Sequence, residues 1–219
     1  RSSRGLGDVY KRQVMTTWIL IRHGESTANL ARRLSGWHDV ALTDKGIAQA
    51  RRAGEMIKHH PIDRVISSDL QRAADTARHA IGIWAEARGV EPLPVQTDRN
   101  LRERNLGTFQ GRSIDKLRED GRISALLGWD TAPPGGESLR TVITRCIPAL
   151  LAHDGPGCVA VFAHGGVIRG LTGLLEGVPL SEIGVRKIPN AIPIPVELEE
   201  GAWGRLAAVH GLYSEETSR

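Results

Sequence analysis

The chain is short of the features that mark several large classes of protein. It has two cysteines in 219 residues, Cys146 and Cys158, in unrelated contexts and with no C-x-x-C pair. That argues against a disulfide scaffold and is expected of free thiols in a reducing, cytoplasmic compartment. No apolar run approaches the roughly 20 residues that a bilayer crossing needs, so no membrane partner is expected. No histidine or carboxylate set has metal-ligand spacing such as H-E-x-x-H, so neither a metal nor another cofactor is expected. A G-x-x-x-x-G-K-[ST] loop is missing too, and with it the signature of nucleotide hydrolysis. Aromatic residues make up only 4% of the chain and form no stacking series, which counts against a nucleic-acid partner.

Positive charge is also scarcer than it looks. The net charge is +4 and the pI about 9.4. Residues 1–14 hold Arg1, Arg4, Lys11 and Arg12 against Asp8, so they carry three of those four charges and the rest of the chain is near neutral. A basic nucleic-acid surface is therefore not expected. Residues 1–14 have no helical periodicity and no apolar core of a secretory signal. They read as a leader outside the fold, non-native or disordered, and resemble translated adaptor sequence ahead of a start at Met15. Residues 15–212 read as one domain and 213–219 as a tail; the domain is long enough to bury a substantial core.

Within that domain, short apolar runs alternate with helical patterns. Trp18-Ile19-Leu20-Ile21 reads as a buried strand, and it leads directly into Arg22-His23-Gly24. The stretch from Ser26 to Leu34 reads as polar and irregular. Thr43 is placed to cap a helix carrying Ile47, Ala50, Gly54 and Ile57, and Pro61 ends it. Arg64-Val65-Ile66 is a second short strand. Ser68 and Gln71 have capping-box spacing ahead of a helix whose face is Leu70, Ala73, Ala74, Ala77, Ile81 and Trp84. Leu93–Val95 reads as an edge strand, marked by Pro92 and Pro94. Short helical patterns at 113–119 and 121–127 follow, and a longer one runs from Glu137-Ser138 to about His153, with Pro148 expected to kink it. Val159–Ala163 is a strongly apolar strand ahead of a helix with Val167, Ile168, Leu171, Leu174 and Leu175. Ala191–Leu198 and Arg205–Val209 read as closing strands around a Gly201 turn. The polar segment at about 100–140 reads as a cap over the sheet edge. His59, His60 and His79 read as exposed helix residues.

Two of these strands end alike, in Arg22-His23-Gly24 and in Ala163-His164-Gly165. Functional groups of an open α/β sheet stand just beyond the carboxyl ends of its strands. One histidine at a strand tip is ordinary packing. A matched pair, with arginines at 22 and 72 and Glu103 in a glycine-punctuated loop, points instead to chemistry on an anion.

The pieces Arg22-His23-Gly24-Glu25-Ser26 with Asn29, Ser67-Ser68-Asp69-Leu70-Gln71-Arg72, Leu101-Arg102-Glu103 with Gly107 and Gly111, Gly136-Glu137-Ser138, and Ala163-His164-Gly165-Gly166 resemble the histidine phosphatase superfamily. The motifs stand in the family's order over about residues 16–210. The resemblance implies a three-layer α/β/α sandwich with a mostly parallel central sheet and a small helical or loop cap. It also implies a small phosphorylated metabolite as partner, and a monomer or homodimer. His23 would be the nucleophile that takes the phosphoryl group, Arg22 and Arg72 its charged donors, and His164 the stabiliser of the oxygens as their charge develops. Glu103 would be the general acid and base. Arginines around a carboxylate favour its charged form and a bound phosphate dianion opposes them, so Glu103 is expected to act as an acid only in the substrate complex. Asn29, Ser35 and Gly165 would contact the substrate, although Ser35 is equally readable as a plain loop serine. Glu25, Ser26, Glu137 and Ser138 are open to purely structural readings as loop formers or caps.

Departures from the family's mutases favour hydrolysis. Phosphoglycerate mutases carry Glu-Arg-His-Tyr-Gly where this chain has Glu103-Arg104-Asn105-Leu106-Gly107. Their downstream lysine falls near Ile114, and their paired arginines have no clear match around Trp129-Asp130. A phosphomonoesterase working through a phosphohistidine is the expected activity. A cofactor-dependent mutase and an inert binding protein on the same fold stand as alternatives.

Overall fold

The computed structural model describes residues 14–212. Residues 1–13 and 213–219, nearly all of the expected leader and the whole of the expected tail, lie outside the described residues. In chain order the elements are β1 (Met15–Arg22), α1 (Thr27–Leu30), α2 (Asp44–Ile57), β2 (Arg64–Ser67), α3 (Gln71–Arg88), β3 (Val95–Thr97), α4 (Ile114–Glu119), α5 (Leu139–Leu151), β4 (Gly157–Ala163), α6 (Gly165–Leu175), α7 (Leu180–Ile183), β5 (Pro193–Glu199) and α8 (Ala202–Val209). Short 3-10 turns at Arg99–Leu101, Gly107–Phe109 and Arg122–Leu126 punctuate the cap segment.

The sheet runs β3-β2-β4-β1-β5. Every pairing is parallel except that of β5, which lies antiparallel to β1 at the edge. The apolar run of β1 is continuous because both faces of the strand are covered. Successive side chains point to opposite faces, and the two cores divide accordingly. Trp18 and Leu20 join Val159 and Val161 under α5, α6 and α8. Ile19 and Ile21 join Ala160 and Phe162 under α2 and α3. Each such aliphatic side chain, fully buried, contributes about 1.5–3 kcal/mol. The result is the expected α/β/α sandwich.

The central pair β1 and β4 fixes the site. They run in register with Arg22 beside Ala163, and the His23 N–H donates to the Ala163 carbonyl at 3.0 Å. The two histidine-glycine tips therefore lie side by side.

Several expectations are corrected. Residues 205–209 form no strand; they belong to α8, because Gly201 turns the chain through φ +77° and Trp203, Leu206 and Ala207 share one helical face. Trp203 packs edge-on against Trp18, with ring centroids 5.5 Å apart. The stretch after the first strand is not wholly irregular, since Ser26 and Asn29 form a capping box around α1. The edge strand begins at Val95, two residues later than expected, after its prolines. Residues 121–127 form a 3-10 turn where a helix was expected. Ser68 and Gln71 form no capping box: the cap residue of α3 is Leu70, without a side-chain bond, and the Ser68 hydroxyl is used elsewhere. His59 and His60 follow α2 without being in it, and His60 and His79 are half-buried. Both cysteines are free and buried, and burial pushes their thiols up, to about 12 for Cys146 and about 11 for Cys158.

Candidate active site

His23 follows the last residue of β1 and is 3% exposed; His164 follows β4 and is fully buried. Their rings lie 5.2 Å apart, centroid to centroid, at 60°. The loop after His23 turns tightly against α2: a Cβ on Gly24 would collide with the Gly46 carbonyl, and one on Gly46 with the Glu25 carbonyl. His23 Nδ1 lies 2.7 Å from the carbonyl oxygen of Gly24. A carbonyl only accepts, so Nδ1 carries the proton and Nε2 is left with its lone pair. Burial, then the charges of Arg72 and Arg22, hold His23 well below the usual imidazole range. His164 is held low by burial, Arg72, His23, Arg145 and Arg22. Both rings are neutral near pH 7.

The two arginines are fixed by carbonyls, without a carboxylate bonded to either. Arg22 donates to Ile188 O at 2.6 Å. Arg72 donates to His38 O at 3.0 Å and Gly36 O at 2.8 Å, and desolvation lowers its pKa to about 10. Arg22 Nε and Arg72 Nε are buried with no partner, and so is His164 Nδ1. Buried polar groups are almost always paired. Of the seven buried, unpaired side-chain nitrogens among the described residues, the three on Arg22, Arg72 and His164 lie by His23.

Ser68 ties His164 to the start of α3. Its Oγ accepts from the Leu70 N–H at 3.3 Å and lies 2.8 Å from His164 Nε2. His164 Nδ1 is left without a partner.

Glu103 reaches the same place from the cap. Its carboxylate accepts from Gly166 N–H at 3.2 Å, inside the first turn of α6, and from Arg104 N–H at 2.8 Å. A helix N-terminus favours a negative group. Gly166 has to be glycine, since a Cβ there would collide with Glu103 Oε1. Neither flanking arginine pairs with it. Arg102 makes a two-pronged ion pair with Asp69 at 2.6–2.7 Å, and Arg104 spends its guanidinium on the carbonyls of Glu137, Leu126, Ala125 and Thr131. The Glu103 carbonyl is held by Trp37 Nε1–H at 2.7 Å and by Arg145 at 2.9 Å. Trp37 itself lies under the guanidinium of Arg102, 5.2 Å from the ring centroid.

The other expected residues divide. Gly165 is the first residue of α6, where an N–H has no partner within the helix, and the Arg22 guanidinium lies beside it. Asn29 commits its side-chain oxygen to the Ser26 N–H, leaving its NH2 as a donor. Ser35 is half-buried beside Gly36 and lines a separate, smaller hollow with Val40 and Gly111. Glu25 braces the N-terminus of α2 through Thr43 and Lys45. Ser138 caps α5, whereas Glu137 pairs with Arg145 and accepts from Asn105 N–H, bracing the Glu103 segment.

The segment 187–191 had no motif to mark it, yet it closes one wall. Asn190 donates to His23 O at 2.8 Å, Ala191 N–H donates to Arg22 O, and Ile188 holds Arg22. Arg169 also lines the site, bonded to Gly165 O and Gly184 O. A cavity of about 750 Å³ opens from Arg22, Glu103, Gly165 and Gly166 toward the cap.

The site thus joins Arg22, His23 and His164 at the tips of the central strands with Arg72 from the first turn of α3 and Glu103 from the cap. The chain is a member of the histidine phosphatase superfamily, branch 1, whose family model matches residues 18–208. It is 33% identical to a 2,3-bisphosphoglycerate-dependent phosphoglycerate mutase of Afipia carboxidovorans, over 84% of this chain and 92% of the relative. It is 36% identical to the protein of the same name from Bartonella tribocorum, over 81% and 90%. Among solved structures it is similar to a mycobacterial glucosyl-3-phosphoglycerate phosphatase in complex with VO3 (31% identity, TM-score 0.71, 82% of this chain and 91% of that one). It is also similar to Bacillus stearothermophilus YhfR (28%, TM-score 0.72, 84% and 92%). Members of this family are enzymes, phosphatases or mutases.

Proposed function

We propose that the protein is a phosphomonoesterase acting through a phosphohistidine on His23. The observation that carries this reading is the unpaired, neutral Nε2 of His23 set beside two buried arginine donors and a buried His164 nitrogen, all without partners. The phosphoryl group lies on Arg22 Nε, Arg72 Nε and His164 Nδ1. Nε2 attacks phosphorus as the bond to the ester oxygen breaks, and the Glu103 carboxyl gives that oxygen its proton. A water then attacks the phosphohistidine, Glu103 takes the water's proton, and phosphate leaves with His23 restored. Arg22 and Arg72 have a second part, since their charge keeps the nucleophile unprotonated.

Relatives by sequence are named as mutases and several neighbours by structure as phosphatases, so the choice rests on the cavity. Ile114, near which the mutases' lysine falls, lines it, and so does Leu106. An apolar side chain at that position removes the contact that the mutases' lysine would offer a second acidic group, which supports transfer to water over return to a second phosphorylated acid. His23→Ala should abolish phosphate release from p-nitrophenyl phosphate, by more than about 10⁴-fold. Strong mutase activity with 2,3-bisphosphoglycerate and negligible phosphate release would replace hydrolysis with transfer.

A further inference from the structure

The segment 36–39 is bonded to both halves of the site. The carbonyls on either side of Trp37, those of Gly36 and His38, accept from the two terminal nitrogens of Arg72 at 2.8 and 3.0 Å. The Trp37 side chain reaches the cap, where its Nε1–H donates to the Glu103 carbonyl at 2.7 Å. One residue therefore spans from a fully buried arginine of the anion site to the backbone of the acid. The segment is pinned on both sides of this bridge. Trp37 N–H donates to Gln110 Oε1 at 2.7 Å, and Asp39 Oδ1 accepts from the Gln71 N–H at 2.7 Å, at the start of α3. Gly36, at φ +52°, has no room for a Cβ beside the Gln110 side chain.

The ring has partners of its own. The guanidinium of Arg102 lies 5.2 Å from its centroid and that of Arg145 6.0 Å. Both cations are anchored, Arg102 on Asp69 and Arg145 on Glu137. An indole suits this place because it offers a face to cations and a single donor at its edge. Trp37 does not line the cavity beyond Glu103, so it meets the acid through the backbone and not through a substrate.

Building on the phosphomonoesterase reading, we propose that Trp37 is the positioning residue of the general acid. Hung from Arg72 by the carbonyls on either side of it, the indole fixes the backbone of Glu103 at a set distance from the phosphate donors. The carboxyl then stands against the Gly166 N–H, where the ester oxygen arrives. An acid has to lie within hydrogen-bond reach of the oxygen it protonates, and a misplacement of about 1 Å can cost roughly 10²-fold.

Trp37→Phe tests this, since it keeps a ring for the two guanidiniums and deletes the donor. The readout is kcat/KM for butyl phosphate, whose leaving group needs the acid, and for p-nitrophenyl phosphate, whose leaving group needs it little. The expected result is a loss of roughly tenfold on butyl phosphate and a much smaller one, about twofold or less, on p-nitrophenyl phosphate. Inhibition by inorganic phosphate should stay within about twofold of wild type, because the Arg72 bonds are to backbone carbonyls that the substitution keeps. In a Glu103→Gln background the same substitution should cost butyl phosphate about twofold or less, since the group it positions is already lost. Equal losses on the two esters, a loss that persists undiminished in Glu103→Gln, or no loss at all overturns the role of Trp37. With release still dependent on His23, each of those outcomes leaves hydrolysis standing. No release from either ester that depends on His23 removes both readings.

Discussion

His23 and His164 are kept neutral by burial and by the arginines around them, and this determines how the protein answers acid. Their folded pKa values lie below the unfolded value of about 6.5, so below that pH the unfolded chain binds protons that the native state refuses. Stability is full above about pH 6.5 and falls as the pH drops toward the folded values, by about 1.4 kcal/mol per pH unit for each histidine. Denaturant titrations at pH 7 and pH 5 should show this loss, and His164→Asn should remove roughly one histidine's share. The acid limb of kcat/KM should lie well below 6.5 for the same reason; a limb at 6.5 would show His23 to be an ordinary histidine. Ser68 acts through His164, and Ser68→Ala should lower kcat about tenfold while shifting the ¹⁵N resonances of His164 toward a mixture of tautomers, with partial rescue by Ser68→Thr. The placement of His23, Arg22 and Arg72 was readable in the sequence because Arg22 and His23 end a strand and Arg72 opens the helix that follows β2. The contact of Ser68 with His164 was not: its spacing to Gln71 matched a helix cap, and only the fold brings it to a residue 96 positions away.

Among the elements, α6 and the segment 100–107 decide whether Glu103 is in place. Gly166→Ala should displace the carboxylate and cut kcat by about 10²-fold or more on alkyl phosphates. The loss should be smaller on p-nitrophenyl phosphate, whose leaving group needs little help from an acid. Glu137→Gln should loosen the same segment by removing the ion pair with Arg145, both partners being under one-fifth exposed. A loss of about 2–4 kcal/mol in stability, with faster hydrogen exchange at Asn105, is the expected outcome. Strands and long helices were legible because their apolar periods are unambiguous. Residues 205–209 were not, since the four apolar residues after Arg205 are too few to show a period, and the helix packs through Trp203 on Trp18 at the other end of the chain. The wall at 187–191 was invisible for a related reason: it works through backbone carbonyls and one asparagine amide, which leave no residue pattern.

At the scale of the whole molecule, the sheet places its central strand tips under a cap, and the positive charge that remains at the site has no carboxylate bonded to it. Phosphate should therefore stabilise the protein, by about 2.7 kcal/mol at one hundred times its Kd, and less as salt is added. The Arg72→Gln variant should lose most of that gain. The covalent step is open to direct observation. During turnover of p-nitrophenyl phosphate, an alkaline quench and proteolysis should yield an acid-labile phosphoryl group on the peptide containing His23, absent from His23→Ala. Phosphate release that continues in His23→Ala, or a phosphoryl group carried by another residue, would contradict the assignment of His23 as the nucleophile.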